Sequence, residues 1–320
     1  MMPAGTPHIA AIYASLDVGT NSVKLTVADL AGGDARCLCD RAVITRLGEG
    51  MLAHGHRLRE VPMRRTLDAI ADFVALAQVQ GARQIAAVGT AALREAANRD
   101  EFLRRVRERC GITIDVLSGE EEARLSYLAV RRDPHWRAYA GLIVIDVGGG
   151  STEIIQGEAH SSRIATRQSV NLGAVKLTER YFKSDPPTIA QLAAANQVVA
   201  EEFDRMALNP VAGGTQVVGV GGTVTNLASM DLQGTRPLEQ LHGHTLQADA
   251  LEDLTARLAS RTIQERKQIP GLDPARADVI LGGAIILSQA LAHLGSAALD
   301  VSTRGLRWGV LYDRFLPAEG

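Results

Sequence analysis

Residues 142–155 read LIVIDVGGGSTEII. An apolar run ends at Asp146, three glycines follow, then Ser151, Thr152 and Glu153, and the chain turns apolar again. β-Forming residues bounded by glycine read as a buried strand, a tight turn and a return strand. The same arrangement occurs earlier, where DVGTNS (17–22) lies between strand-like AIYASLD (11–17) and SVKLTVADL (22–30). A second unit recurs in the same order: AAVGTAALREA (86–96) parallels VGVGGTVTNLA (218–228), each a short strand running through glycine into a helix. The interval from Asp17 to Asp146 nearly equals that from Gly89 to Gly222. Two units repeated at one spacing predict a duplicated α/β domain. The two similar lobes, 10–132 and 140–320, would face each other across a cleft, with the C-terminal helix free to pack on the first.

The remaining elements fit between these anchors. Helical periodicity spans 61–80 and stops at Gly81, and residues 90–111 read as helix with a break near Asn98. A strand over 112–119 leads into a helix over 120–132 whose first turn holds Glu120, Glu121 and Glu122; the helix dipole favours acids there. The segment 162–182 is strand-like to Val170 and helical past Gly173. The next helix is expected to begin at Pro186 or Pro187, because proline suits a first helical turn. A long apolar helix is expected from Asp273 as cap, with Pro274 next, and the chain closes with a strand, a turn and a helix.

Composition sets outer limits. A net charge of −2 gives no global basic field for nucleic acid or a membrane surface. No run approaches the roughly 18 apolar residues of a membrane span, and the N-terminal stretch lacks the basic start and apolar core of a signal peptide. Cys37, Cys39 and Cys110 complete neither a zinc site nor a disulfide framework. A cytoplasmic protein is expected, with no nucleic-acid or membrane partner; homodimerisation is left open.

The chemistry concentrates in the two DVG turns. Glycine permits positive φ and removes the side chain that would block a ligand, and successive amides in such a turn form a concavity for anions. Gly19, Thr20, Asn21 and Ser22 in one turn, and Gly148, Gly149, Gly150, Ser151 and Thr152 in the other, are therefore candidate phosphate contacts. Asp17 and Asp146 repel phosphate directly; their use would be to hold Mg²⁺, which bridges to phosphate, with Glu153 joining Asp146. Glycines serving only a hairpin are the plain alternative, but the paired occurrence, each with Asp before and Ser after, favours phosphate. Gly221, Gly222 and Thr223 sit where a strand meets a helix N-terminus, a favourable anion position. Arg94, one turn past Gly89, is placed to clamp a phosphate in bidentate fashion. His242 and His244 read as loop residues, and Arg266 and Lys267 as candidates for distal phosphates.

These motifs carry a family resemblance. DVGTNS, GTAALREAAN, LSGEEEARLSY, IDVGGGSTE, VGVGGT, IPGLDPARADVILGG and STRGLRWGVLY stand in the order found in the Ppx/GppA phosphatases. The chain resembles that family of exopolyphosphatases and guanosine pentaphosphate phosphohydrolases from Tyr13 to Phe315. The family belongs to the superfamily of actin, Hsp70 chaperones and sugar kinases. The resemblance implies two ribonuclease-H-like lobes with the active site between them, and cleavage of a terminal phosphoanhydride with Mg²⁺ or another divalent cation. It implies Glu122, the second acid after the variable Glu120 of SGEEEA, as the base. It also places the phosphate-loop residues at Asp146, Gly148, Gly149, Ser151 and Glu153, and the family's arginine at Arg94. Long members continue into a further helical domain; this sequence is expected to be the short, two-lobe form. The leading expectation is an exopolyphosphatase. Its rivals are a pppGpp 5′-phosphohydrolase, a kinase of the same superfamily with an acceptor site, and a non-catalytic polyphosphate or nucleotide sensor, which retention of Glu122, Asp146 and Glu153 disfavours.

Overall fold

A computed structural model describes residues 10–31, 35–158, 163–206, 211 and 213–316. The first nine residues, Ser162, the chain just past Met206 and the last four residues lie outside that description, and with them those parts of the expectations above.

The first sheet contains β1 (Ile12–Val18), β2 (Ser22–Asp29), β3 (Arg36–Ile44), β4 (Ile85–Gly89) and β5 (Ile114–Val116), in the order β3-β2-β1-β4-β5. The second contains β6 (Gly141–Val147), β7 (Thr152–Gly157), β8 (Ile164–Val170), β9 (Thr215–Val220), β10 (Thr245–Gln247) and β11 (Ala298–Val301), in the order β10-β11-β9-β6-β7-β8. Apart from the added edge strand β10, the second sheet repeats the first. In each, a central strand pairs antiparallel with its hairpin partner on one side and parallel with a later strand on the other. This is the duplicated ribonuclease-H-like plan.

The helices are α1 (Glu60–Val79), α2 (Ala91–Glu95), α3 (Arg99–Cys110), α4 (Gly119–Arg131), α5 (Ala174–Tyr181), α6 (Ile189–Asp204), α7 (Gly221–Asp231), α8 (Leu238–Leu241), α9 (Ala248–Ala259), α10 (Ile263–Arg266), α11 (Ile280–Leu294) and α12 (Leu306–Phe315). The break between α2 and α3 is held by Asn98, whose side chain bonds both the amide (2.8 Å) and the carbonyl (3.1 Å) of Leu58. α6 begins later than expected: Thr188 and Gln191 form a capping box that fixes the start at Ile189, and both prolines stay outside. The helix expected from Asp273 is two elements. Asp273 caps a single 3₁₀ turn, Pro274–Arg276, and α11 starts at Ile280. Between them, Asp278 is turned out to pair with Arg46 of the first lobe.

Two helices join the lobes. α4 places Ala123, Tyr127 and Val130 against the second sheet, on Leu142, Val144, Ile155, Val218 and Val220. α12 runs from the second lobe onto the first sheet, where Leu306 and Val310 meet Val88, and Trp308, Leu311 and Tyr312 meet Ala28. The two helices cross where Gly309 lies against the backbone of Leu125, a contact closed to any side chain. Their packing sets the relative position of the lobes and, because α4 starts with the three glutamates, of Glu122. Among the described residues, no helix is long and apolar enough to cross a membrane.

Candidate active site

The two DVG turns have one skeleton. The amide of Gly19 donates to the carbonyl of Ser22 at 3.0 Å, and the amide of Gly148 to that of Ser151 at 3.0 Å. In each, the turn's carbonyls are satisfied within its own lobe. Thr20 and Asn21 accept from Gly48 (3.0 Å) and from Thr45 and Arg46, while Gly148 and Gly149 accept from Ala174 and Val175 at the start of α5 (2.9 Å each). In the second turn, among the described residues, the amides of Gly149 and Gly150 donate to no backbone carbonyl and are left for a ligand. The sequence enforces this seating. A Cβ on Gly173 would lie 2.5 Å from the backbone of Gly149. In α11, Gly282 and Gly283 let α5 and α7 approach, since Cβ atoms there would strike the Ala174 carbonyl and the Thr223 side chain.

The turns meet across the cleft. A Cβ on Gly149 would lie 3.3 Å from both Thr20 and Asn21, and one on Gly150 would lie 2.6 Å from Thr20 Oγ1. A cavity of about 260 Å³ is left beside this contact. Its wall includes Asp17, Gly19, Thr20, Asn21, Ser22, Glu122, Asp146, Gly148, Gly149, Gly150 and Ser151, together with Gly221, Gly222 and Thr223 at the start of α7. Asn21 Nδ2 is buried there without a hydrogen-bond partner. An unused donor on this wall costs free energy unless a ligand oxygen takes it.

Four carboxylates crowd one end. Glu122 is 7% exposed and accepts from Arg94 Nη1 at 2.9 Å. Burial pushes its pKa up to about 7; Arg94 opposes that rise, and Asp146 and Asp17 add to it. Burial also raises Asp146, against Lys24 and a hydrogen bond from Ser126 Oγ (3.1 Å), while Asp17 raises it further. Glu153 is fully buried and held well above the usual carboxylate range by burial and by Glu122 and Asp146. Its Oε2, like Asp17 Oδ1, has no hydrogen-bond partner. Mutually repelling acids with unused oxygens suit a divalent cation. Yet among the described residues no three acid, histidine or cysteine side chains are grouped to hold one by themselves. That fits Mg²⁺, which keeps waters and relies on one or two carboxylates plus substrate phosphates.

Three expected contacts lie elsewhere. Arg94 is off the cleft wall: its Nη1 bonds Glu122 and the Leu117 carbonyl (3.0 Å). Thr152 faces into its own lobe, where Oγ1 donates to the Leu172 carbonyl at 2.7 Å; as the strand's next residue after Ser151 it points to the opposite face. Glu153 lies behind the wall and accepts from Ser169 Oγ at 2.7 Å. Nor does Arg266 reach the cleft; it is buried among the Leu258 and Ala277 carbonyls. His242 and His244 pack against Asp133 (3.5 Å) and Asp231 (2.8 Å).

Other wall residues had no local signal. Lys24 is paired to Asp17 across the hairpin at 3.5 Å, and strand register alone places it there. Arg276 lies directly over Gly222, and Arg307 reaches Asp40 at 2.8 Å.

Comparison with known proteins gives the family. The Ppx/GppA phosphatase family model matches residues 26–318. The chain belongs to this family. Exopolyphosphatase 2 of Mycobacterium tuberculosis is 32% identical over 89% of this chain and 91% of its own length. A guanosine-5′-triphosphate,3′-diphosphate pyrophosphatase of Photobacterium profundum is 30% identical over 95% of this chain but only 59% of its own length. Among solved structures, the Aquifex aeolicus member of the Ppx/GppA family superposes with a TM-score of 0.80 at 31% identity, covering 96% of this chain and 98% of that one. The Ppx/GppA fold, with its facing lobes, is the fold of this chain.

Proposed function

We propose that the protein is an exopolyphosphatase, hydrolysing the terminal phosphoanhydride of inorganic polyphosphate to release orthophosphate. The observation that carries the reading is the contact of the two turns beside a cavity that holds an unpartnered amide donor, Asn21 Nδ2, and a buried acid, Glu122. The terminal phosphoryl group binds between the Gly149 and Gly150 amides and the Asn21 and Ser22 side chains. Glu122 accepts a proton from water as the water oxygen bonds to phosphorus. The bond from phosphorus to the bridging oxygen breaks, and the shortened chain leaves with that oxygen. Arg94 is a positioning residue that orients the Glu122 carboxylate. Asp146, with Asp17 nearby, would hold Mg²⁺, which when bound neutralises phosphate charge; Glu153 supports Asp146 from behind. Lys24, Arg276 and Arg307 add positive charge further along the wall.

A second reading, a pppGpp 5′-phosphohydrolase, draws support from the Photobacterium relative and from the extension of the cleft past Gly222 to Asn226 and Leu238. One assay separates the readings. Phosphate release is measured with Mg²⁺ and, in turn, long-chain polyphosphate, tripolyphosphate, pppGpp and ATP. Faster release from polyphosphates than from pppGpp, stopped by EDTA, is expected. Faster release from pppGpp favours the second reading. Transfer from ATP only with an alcohol or acid acceptor identifies a kinase, and binding without release a sensor.

A further inference from the structure

Two ion pairs meet at the end of α2. Arg94 donates to Glu122 at 2.9 Å, and the next residue, Glu95, accepts from Lys176 Nζ on both carboxylate oxygens, at 2.6 and 2.7 Å. Glu95 belongs to the first lobe and Lys176 to α5 of the second, so this pair crosses from lobe to lobe. It crosses largely out of water: the lysine side chain is 10% exposed and the glutamate side chain 17%. Asn171 Oδ1 also accepts from the ammonium. Burial pushes the Lys176 pKa down, and the Glu95 carboxylate opposes that shift.

Each partner is rooted in a part of the site. Val175 and Lys176 donate their backbone amides to the Gly149 carbonyl at 2.9 and 3.3 Å, so α5 seats the second DVG turn. α2 starts against the same turn, where a Cβ on Gly150 would lie 2.8 Å from Ala91 Cβ, and it ends on Arg94 and Glu95. A closed circuit of contacts results: turn, α5, Lys176, Glu95, Arg94, Glu122. Neither Lys176 nor Glu95 lines the cleft. Stability alone does not explain the pair, because a buried ion pair replaced by well-packed apolar groups is often neutral or stabilising. Short directional hydrogen bonds fix a separation, which non-directional apolar contact does less sharply.

We infer that Lys176 and Glu95 are a positioning pair for the reaction, setting the separation between the turn that holds the terminal phosphoryl group and the carboxylate that activates water. The inference rests on the reading of Glu122 as the base. Lys176 acts through the Gly149 turn and Glu95 through Arg94; neither touches substrate.

The test measures phosphate release from whichever of long-chain polyphosphate, tripolyphosphate and pppGpp the wild type hydrolyses fastest, so substrate identity does not bear on the result. Lys176→Met and Glu95→Gln should each lower kcat about ten- to a hundredfold with KM held within about threefold. The double variant leaves no unpaired buried charge; it should melt close to the wild type and be no slower than the worse single variant, since the two residues act as one unit. Lys176→Arg, which can take the carboxylate through two N–H groups, should stay within about threefold of the wild type.

The pH profile separates position from field. Arg94, Asp146 and Asp17 act on Glu122, while Arg94 and Glu153, besides Glu95, act on Lys176. A displaced Arg94 raises the Glu122 pKa whichever partner is removed, so both single variants should move the acid limb of kcat/KM to higher pH. Loss of one charge acting through space would move it up for Lys176→Met and down for Glu95→Gln. Opposite shifts, wild-type kcat in both single variants, or a Lys176→Arg variant as slow as Lys176→Met overturns the inference. If the wild type shows no turnover, the reading of the active site fails by itself, and the pair is judged by a crystal structure of the double variant. An Arg94–Glu122 bond broken there supports the inference; that bond kept, with α2 and α5 in place, overturns it.

Discussion

The turn after β1 and the turn after β6 share a hydrogen-bonded skeleton but differ in what they carry. In the first, Thr20 and Asn21 fill the space and Lys24 sits 3.5 Å from the acid. In the second, the same positions are Gly149 and Gly150, and no cation lies within ion-pair distance of Asp146 among the described residues. The first copy supplies side-chain donors and counter-charge; the second supplies bare amides and a carboxylate whose pKa burial raises. The two turns fit against each other with one copy bulky where the other is bare. A second asymmetry concerns the joining helices. α4 starts with Glu120, Glu121 and Glu122, whereas α12, its counterpart on the other sheet, starts with Leu306 and Arg307. Duplication built a symmetric scaffold, and the proposed chemistry uses the places where the symmetry is broken.

The sharpest break is Glu122→Gln, which removes the acid and keeps its shape. It should lower kcat about 10²–10⁴-fold while leaving polyphosphate binding near the wild-type level, measured by steady-state phosphate release and by titration in EDTA. Exchange of bulk between the turns comes next. Gly150→Val puts side-chain atoms where Thr20 and Ala91 already lie and should cost about a hundredfold in kcat/KM by holding the lobes apart. Thr20→Gly leaves a gap in place of a clash and should cost clearly less. If the two variants lose activity equally, the division between a bulky and a bare turn is wrong.

The pH dependence gives a smaller effect. With Glu122 at about 7, kcat/KM should fall about tenfold per unit below that pH. Arg94 lowers this pKa, so Arg94→Gln should move the acid limb to higher pH. Stability carries the same sign. A carboxyl whose folded pKa exceeds its unfolded value contributes most below the unfolded value and loses that contribution as pH rises through about 7. Glu122→Gln should therefore gain in Tm relative to the wild type between pH 5 and pH 8, as read by thermal melts.

The duplicated hairpins were legible because glycine, hydroxyl and acid recur at one spacing, and local geometry alone dictates such turns. The crossing helices were visible as elements; their exchange of sheets depends on packing between distant residues. β3 gave no pattern because it is an edge strand in which only Cys39 is buried. The start of α6 went to a capping box rather than to its prolines, since two reciprocal hydrogen bonds outweigh a favourable φ. Thr152 could have been excluded from the sequence: Ser151 and its neighbour on a strand face opposite ways. The spacing that led to Arg94 did bring it near the site, but its partner, Glu122, comes from another helix. Arg276 was out of reach for the same reason, arriving over Gly222 from a segment remote in sequence.

The most direct test is a crystal structure of the Glu122→Gln variant with a short oligophosphate and Mg²⁺. The account predicts the terminal phosphorus between the Gly149 and Gly150 amides and the Asn21 and Ser22 side chains, with residue 122 on the side away from the rest of the chain. An oligophosphate bound elsewhere, with the two turns apart and neither touching it, would contradict the account.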